Sequence, residues 1–441
     1  MLHRSLKLPA ARALTARAAA YAGGFPRAVW LIVAATAIES TGRFMVVPYL
    51  SLYMNKSGVS LGALGLVLGA APFASVIFGA WGGHLADRWG RKPVQILGVA
   101  TSGAALFGFA FAGTNVYVLA LLNFLNGMTR TFYRPATNAA LSDLCPPERR
   151  SEAYALNRIA LNAAFGWGPL IGVAVFASAP RAGFVAAGTL NLLVGLFIAV
   201  AIPESSAGRK RLGDSPPKTS AGTGDSPREP GTVPERISAA GPAAGLGTVP
   251  APLSAWRVIR GDGIFWLWTA GMTLVWGAYD LIQSFLPLHM NASGVPLWAY
   301  GAALTTNALV CVFAQLPVSR LLRTSRIGPS AGASKLAFAV GFAGFALFRS
   351  PAAIIAAMLV LSAGEVWGSA VQTRFVPEHA DPRLIGRYLG LSVVSELGRA
   401  FVAPAAGFVM QAVGGRAVFA GAAGLSLAGG GLLYLAGSLH D

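Results

Sequence analysis

Charge is scarce in this chain: Asp, Glu, Lys and Arg make up only 12% of its 441 residues, about half the share carried by a soluble globular protein. So thin a charged coat does not keep a large apolar content in water, which sets aside a soluble enzyme or binding domain and leaves lipid as the solvent. Cysteine is nearly absent, with Cys145 and Cys311 alone; a disulfide framework and CxxC metal sites are thereby excluded. Acids are half as common as bases, 17 against 34, for a net charge of +17. In a soluble protein that excess would suggest nucleic acid, but here the basic residues fall between long apolar runs, so no nucleic-acid partner is expected. No GxxxxGK[ST] sequence is present, so nothing in the chain would hold a nucleotide's phosphates. His84 and His289 stand apart from any metal-like cluster, and no nucleophile elbow occurs. The sequence thus predicts neither an enzyme, nor a cofactor, nor a metal.

What is abundant is apolar: 54% of the residues are hydrophobic, with 54 Gly and 27 Pro. A bilayer core needs about 20 helical residues, and a spanning helix satisfies its own backbone. Twelve stretches meet that length, at about 28–54, 62–83, 93–112, 116–141, 153–178 and 182–202, then 263–289, 297–319, 330–349, 352–375, 385–411 and 417–438. The expected fold is therefore an all-α polytopic membrane protein, twelve transmembrane helices in two six-helix bundles around a central cavity. Residues 1–27 are basic and free of acids and read as a cytosolic tail rather than a targeting peptide. Residues 28–202 form the first bundle and 263–438 the second, with 439–441 as a short cytosolic end. Between them lies 203–262, rich in Pro, Gly and Ser, a flexible cytosolic linker with a surface helix near its end.

Lys and Arg alternate in density from loop to loop. Twenty-four fall in the tail, the linker and the loops after spans two, four, eight and ten, while the opposite loops hold only Lys56, Arg181, Arg349 and Arg416. By the positive-inside rule both termini are cytoplasmic, in a cell inner membrane. Six basic residues remain within spans or near their ends. Two six-span halves joined by a long inner linker suggest rocking of one bundle against the other around a central site. One chain holds both halves, so a monomer suffices and the oligomeric state stays open.

After the second span comes AWGGHLADRWGRKP, where acid and base lie together at a helix end. Gly83, Leu85, Ala86, Asp87, Arg88, Gly90, Arg91 and Lys92 resemble the GxLaDrxGrk loop of the major facilitator superfamily. The resemblance implies a cytosolic gate: Asp87 set against neighbouring helix ends, and Arg88 and Arg91 against acidic or carbonyl partners. FGWGPLIG resembles the fifth-span motif of the twelve-span drug:proton antiporters through Gly166, Gly168, Pro169 and Gly172, with Val173 where a further Gly is usual. These small residues permit close helix packing, and Pro169 frees a carbonyl. The NG and RPA elements of the fourth span resemble the same exporters, although Asn123 stands where many members carry an Arg.

Ionisable groups inside spans are costly unless paired or hydrated, and so mark function. Glu39 and Arg43 lie one turn apart in span one, and Arg130 and Arg134 one turn apart in span four. These four and Glu365 of span ten are the candidates for proton coupling, with permanent ion pairs as the structural alternative. Asp280 and Gln283 of span seven are candidates for the substrate cavity, where Asp280 would line an outward vestibule or hold a partner helix. Phe44, Tyr133, Trp367 and Gln372, with Tyr49, Asn157, Tyr279 and Asn307, are candidates to line the cavity. Glu396 and Arg399, three apart, would satisfy one another. Trp30, Trp256, Trp266, Trp268 and Trp298 are expected at the headgroup zone. Two functions fit this set. The resemblance favours proton-coupled efflux of lipophilic or cationic small molecules; the alternative is proton-linked movement of a metabolite such as a sugar, peptide or organic anion, with arginines as ligands. A membrane structural or sensing protein that moves nothing is the third possibility. Partners are thus a small-molecule substrate, protons and the lipid bilayer.

Overall fold

The computed structural model describes residues 24–146, 149–204 and 252–441, apart from the side chains of residues 80, 82–84, 87, 130, 151, 177–178 and 252–255. Expectations resting on Gly83, His84, Asp87 and Arg130 lie outside the described side chains, and those on 1–23 and most of the linker lie outside the described residues.

The backbone is helical at each stretch marked by the apolar runs. The first half contains α1 (Arg27–Lys56), α2 (Leu61–Trp89), α3 (Arg91–Phe111), α4 (Val116–Leu144), α5 (Arg150–Ser178) and α6 (Pro180–Ala201). A short amphipathic helix α7 (Pro252–Gly261) precedes α8 (Gly263–Ser284), α9 (Leu286–Ala292), α10 (Leu297–Leu321), α11 (Ile327–Leu347) and α12 (Pro351–His379). The chain closes with α13 (Ile385–Leu391), a 3-10 turn over Ser392–Glu396, α14 (Leu397–Ala412) and α15 (Gly415–His440). Among the described residues ten helices are long and apolar enough to cross a membrane. The protein is an all-α, multi-pass membrane protein. The helices α4 and α8, at 29 and 22 residues, have the length but not the apolarity, since α4 carries Arg130, Arg134 and Asp143 and α8 ends near Asp280.

Two expected spans are interrupted. Pro287 in the first turn of α9 cannot donate its amide to continue α8, and the chain turns at Phe285. The stretch 385–411 narrows to a 3-10 turn between α13 and α14.

Without an apolar driving force in lipid, helices associate through close contact of small residues. A side chain on Gly429 of α15 would stand 2.8 Å from the Gly271 carbonyl oxygen of α8, and one on Gly98 of α3 would stand 3.0 Å from the Tyr133 nitrogen of α4. Helix pairs within each half form most of the packing: α1 on α5 and α6, α2 on α4, α3 on α4 and α6, α10 on α12, α11 on α12 and α15, and α8 on α14 and α15. Two seams join the halves, α2 against α14 and α5 against α10. At the first, the Gly62 amide donates to Gln411 Oε1 at 2.9 Å, and Gly65 and Gly69 lie against the α14 backbone at Ala403 and Ala400. At the second, Thr305 Oγ1 donates to the Gly166 carbonyl across 2.9 Å. The first seam seals the end of the molecule where α2 begins and α14 finishes.

Candidate functional site

Three cavities lie along the junction of the halves. The largest, about 1190 Å³ and half enclosed, is lined by Thr36, Glu39 and Ser40 of α1, Tyr133, Arg134 and Thr137 of α4, and Asn157 and Arg158 of α5. The second, about 360 Å³, lies mostly in the second half and is lined by Trp268, Trp276 and Tyr279 of α8, Lys335 and Phe338 of α11, and Glu365 and Gln372 of α12. Arg158 and Leu389 line both, so the two cavities adjoin there. Their linings come from the first half of α1 and α5, the body of α8 and the second half of α4 and α12, away from the Gly62–Gln411 seal. The third, of about 90 Å³, lies nearer that seal and gathers Arg43, Phe44 and Asn123 of the first half with Asp280 and Gln283 of the second.

Glu39 is buried at 3% exposure. Its Oε1 is 3.5 Å from Arg43 Nε, and its Oε2 accepts a 2.9 Å hydrogen bond from Ser40 Oγ. One turn of helix puts the two charges on one face, as their spacing predicts, but they serve different cavities: Glu39 faces the large one and Arg43 the small one, where its guanidinium lies 4.7 Å over Phe44. Tyr133 and Arg134 line the large cavity beside Glu39.

Glu365 is held in the second half. Its Oε2 accepts from Tyr279 OH at 3.1 Å and from Asn307 Nδ2 at 2.7 Å, and Asn307 Nδ2 also reaches Ser362 Oγ. These donors stabilise a carboxylate removed from water. Lys335, 6% exposed, enters the same cavity with its ammonium 4.2 Å over Phe338. Two glycines make its passage: a side chain on Gly430 of α15 would stand 2.8 Å from Lys335 Cβ, and one on Gly368 of α12 would stand 2.7 Å from its Nζ. The stem therefore threads between α12 and α15 to place its charge beside the acid.

The remaining candidates separate. Gln372 lines the second cavity with Glu365, whereas Trp367 is 41% exposed and lines none of the three. Trp268, expected at the headgroup zone, is instead buried and stacked on Phe375 at 4.0 Å, because its face of α8 turns inward to α12. Tyr49 is engaged in packing, donating to the Pro169 carbonyl at 2.8 Å. In the same motif Gly168 lies against Phe44 and Gly172 against Met45 and Tyr49 of α1, while Gly166 faces Ala308 of α10. Glu396 and Arg399 pair at 3.2 Å, with Arg399 also over Trp276. His289 is buried and bonds the Phe345 carbonyl. No cluster suited to a metal ion occurs among the described residues. Lys335 and Arg158 were not singled out from the sequence; the available signal was a lone base inside an apolar run.

At the unsealed end, Gly90 adopts a positive φ of 99°, conformation that favours glycine, and turns the chain from α2 into α3. Glu204 caps the helix so begun, its Oε1 accepting from the Arg91 and Lys92 amides at 3.0 and 3.3 Å. Arg91 Nε lies 3.5 Å from Asp143 Oδ2 of α4, and Arg88 is exposed in the last turn of α2. Asp143 belongs to the first half, and Glu204 follows α6 at the start of the linker. In the second half Asp262 accepts from the Phe265 amide at 2.9 Å, from Tyr388 OH at 2.7 Å and from His379 Nε2 at 2.9 Å. Burial pushes its carboxyl pKa up, but these three donors outweigh it and hold the group below its ordinary value.

Residues 32–396 match the family model of the Major Facilitator Superfamily. The chain belongs to that superfamily. Among its relatives is the uncharacterized MFS-type transporter YqjV of Bacillus subtilis, 25% identical over 375 residues, 84% of this chain and 83% of that protein. The quinolone resistance protein NorA of Staphylococcus aureus is 28% identical over 158 residues, which cover 36% of this chain and 40% of NorA. The crystal structure of the nucleoside transporter NupG superposes with a TM-score of 0.69 at 15% identity, covering 94% of this chain and 99% of NupG. At that identity the likeness shows a shared fold. Membership in the superfamily makes the protein a secondary-active transporter of small molecules rather than an enzyme.

Proposed function

We propose that this major facilitator protein is a proton-linked transporter of a specific small metabolite, working by alternating access between two six-helix bundles of residues 28–202 and 263–438. Both termini and the linker 203–262 lie on the cytoplasmic side of the inner membrane in this reading, as the charge asymmetry of the loops supports. The sealed end is then the outer one and the large cavities face the cytoplasm, so the conformation is inward-facing. The observation that carries the reading is the lining of the second cavity, in which Arg158, Lys335 and Glu365 stand among aromatic side chains. Two cations beside one acid suit a metabolite with an anionic group better than a lipophilic cation. Glu39 and Glu365 are the proton carriers, Glu39 paired with Arg43 and Glu365 sharing its cavity with Lys335 and Arg158. The turn at 83–92 acts as the cytoplasmic gate. The runner-up, efflux of lipophilic or cationic compounds, draws support from the aromatic wall of Trp268, Trp276, Tyr279 and Phe338 and from the partial match to NorA.

The test is transport by purified protein in sealed vesicles with imposed pH and charge gradients, across sugars, peptides, organic anions and cationic dyes. The reading expects movement of one metabolite class, collapsing with a proton uncoupler. Pumping of dyes alone would install the runner-up, and no movement under any gradient would remove both.

A further inference from the structure

The second cavity carries an imbalance of charge that the protein itself does not resolve. Its charged lining residues are Arg158, Lys335 and Glu365, so it holds two positive charges and one negative. The nearby Arg399 does not alter this count, because Glu396 pairs with it. Glu365 Oε2 is already occupied by Tyr279 and Asn307. Neither Arg158 nor Lys335 has a hydrogen bond or ion pair among the described residues, and Lys335 is buried with Phe338 as its close neighbour. A buried, unpaired ammonium is costly in protein and lipid alike. Yet α12 and α15 give up side chains at Gly368 and Gly430 to admit it.

We propose that Lys335 and Arg158 form a two-point receptor for the oxyanion of a compact organic monoanion, a carboxylate whose flat apolar body lies against the aromatic wall of α8 and α11. The proposal rests on the transporter reading and names its substrate class. One negative charge brings the lining to neutrality; a cation would raise the imbalance, and a dianion would reverse it. The volume of about 360 Å³ lies at the small end of the roughly 300–1,000 Å³ range of small-molecule sites. Trp268, Trp276, Tyr279 and Phe338 supply ring faces and edges for an apolar body. The receptor is also divided between the halves: Arg158 belongs to α5 and Lys335 to α11. A bound carboxylate therefore ties the first half to the second on the unsealed side of the molecule. Substrate charge becomes the element that favours closure there, since a ligand shifts a conformational equilibrium only by binding one state better.

The test measures binding directly, on the purified full chain in lipid nanodiscs, by ligand-induced rise in melting temperature. Benzoate and cinnamate are compared with their uncharged amides and with benzylammonium, for wild type, Arg158→Gln and Lys335→Met. The methionine fills the glycine slot without charge, and Arg158, having no described partner, is replaceable without loss of packing. The carboxylates are expected to raise the melting temperature and the amides and benzylammonium to leave it unchanged, with affinity falling about tenfold or more in either variant. Equal shifts from the amides, no shift from any carboxylate, or wild-type affinity in Arg158→Gln would each overturn the receptor. The two readings fail separately. Carboxylate binding without movement in vesicles sinks transport and leaves the receptor; proton-driven movement of a neutral metabolite such as a sugar, indifferent to Arg158→Gln, does the reverse.

Discussion

Substituting Gly65 with Ala places a single methyl group in the seam that closes one end of the molecule. The new Cβ would stand 2.6 Å from the Ala403 carbonyl oxygen and 3.0 Å from Pro404 Cα, both backbone atoms of α14. Ordinary contact begins at 3.4 Å, so α2 and α14 must part by about 0.8 Å. Neither helix can turn a side chain aside to absorb this. Overpacking of that size costs about 1–3 kcal/mol, and in an alternating-access protein the cost falls only on the conformation in which the seam is closed. The ratio of closed to open forms of this end should fall by roughly 5- to 150-fold, at about 1.4 kcal/mol per factor of ten. Spin labels at Lys56→Cys and Ala292→Cys, exposed positions at the end of α1 and of α9, read that opening as a second, longer distance in pulsed dipolar spectra, with Cys145 and Cys311 replaced beforehand. An unchanged distance distribution in a folded protein would mean that the seam does not open, and the reasoning from glycine contact to gating would fail.

Three further outcomes are expected. Glu365→Gln keeps the hydrogen-bonding shape but removes the titrating charge, so substrate exchange should persist in vesicles while pH-driven accumulation is lost; retained accumulation would take Glu365 out of coupling. Gly368→Val directs a side chain at Lys335 Nζ, and substrate affinity should fall about tenfold by displacing a charged contact, read in the same binding assay with melting temperature as the control for folding. Asp262 has a carboxyl pKa below the ordinary 3.8 in the folded state; its stabilising effect is complete above that value and is lost as pH falls through the lowered one. Melting temperature followed from pH 6 into the acid range should therefore decline less steeply in Asp262→Asn, and parallel curves would refute the role assigned to its three donors.

The sequence made Glu39 and Arg43 legible because both lie on one helix, where a spacing of four dictates a shared face. It made Glu365 legible as a charge in an apolar run, and the structure adds Tyr279 and Asn307, which come from α8 and α10. Lys335 passed unremarked in SAGASKLAFAV, since the slot that admits it is made by Gly368 and Gly430, on two other helices. Trp268, expected at the headgroup zone, is buried, and Trp367, expected in the cavity, lines none of the three, because the neighbour that each face of a helix meets is set by other segments of the chain.

Composition and the length of the apolar runs determined the solvent, the helical class and the positions of the helices, because each helix in lipid must satisfy its backbone within itself and so carries its own signature. Which charges meet was decided by tertiary structure alone. Arg158, Lys335 and Glu365 come from three helices of two halves, and their convergence depends on how closely glycine allows each pair of helices to approach, a property of two chain segments together that neither encodes by itself.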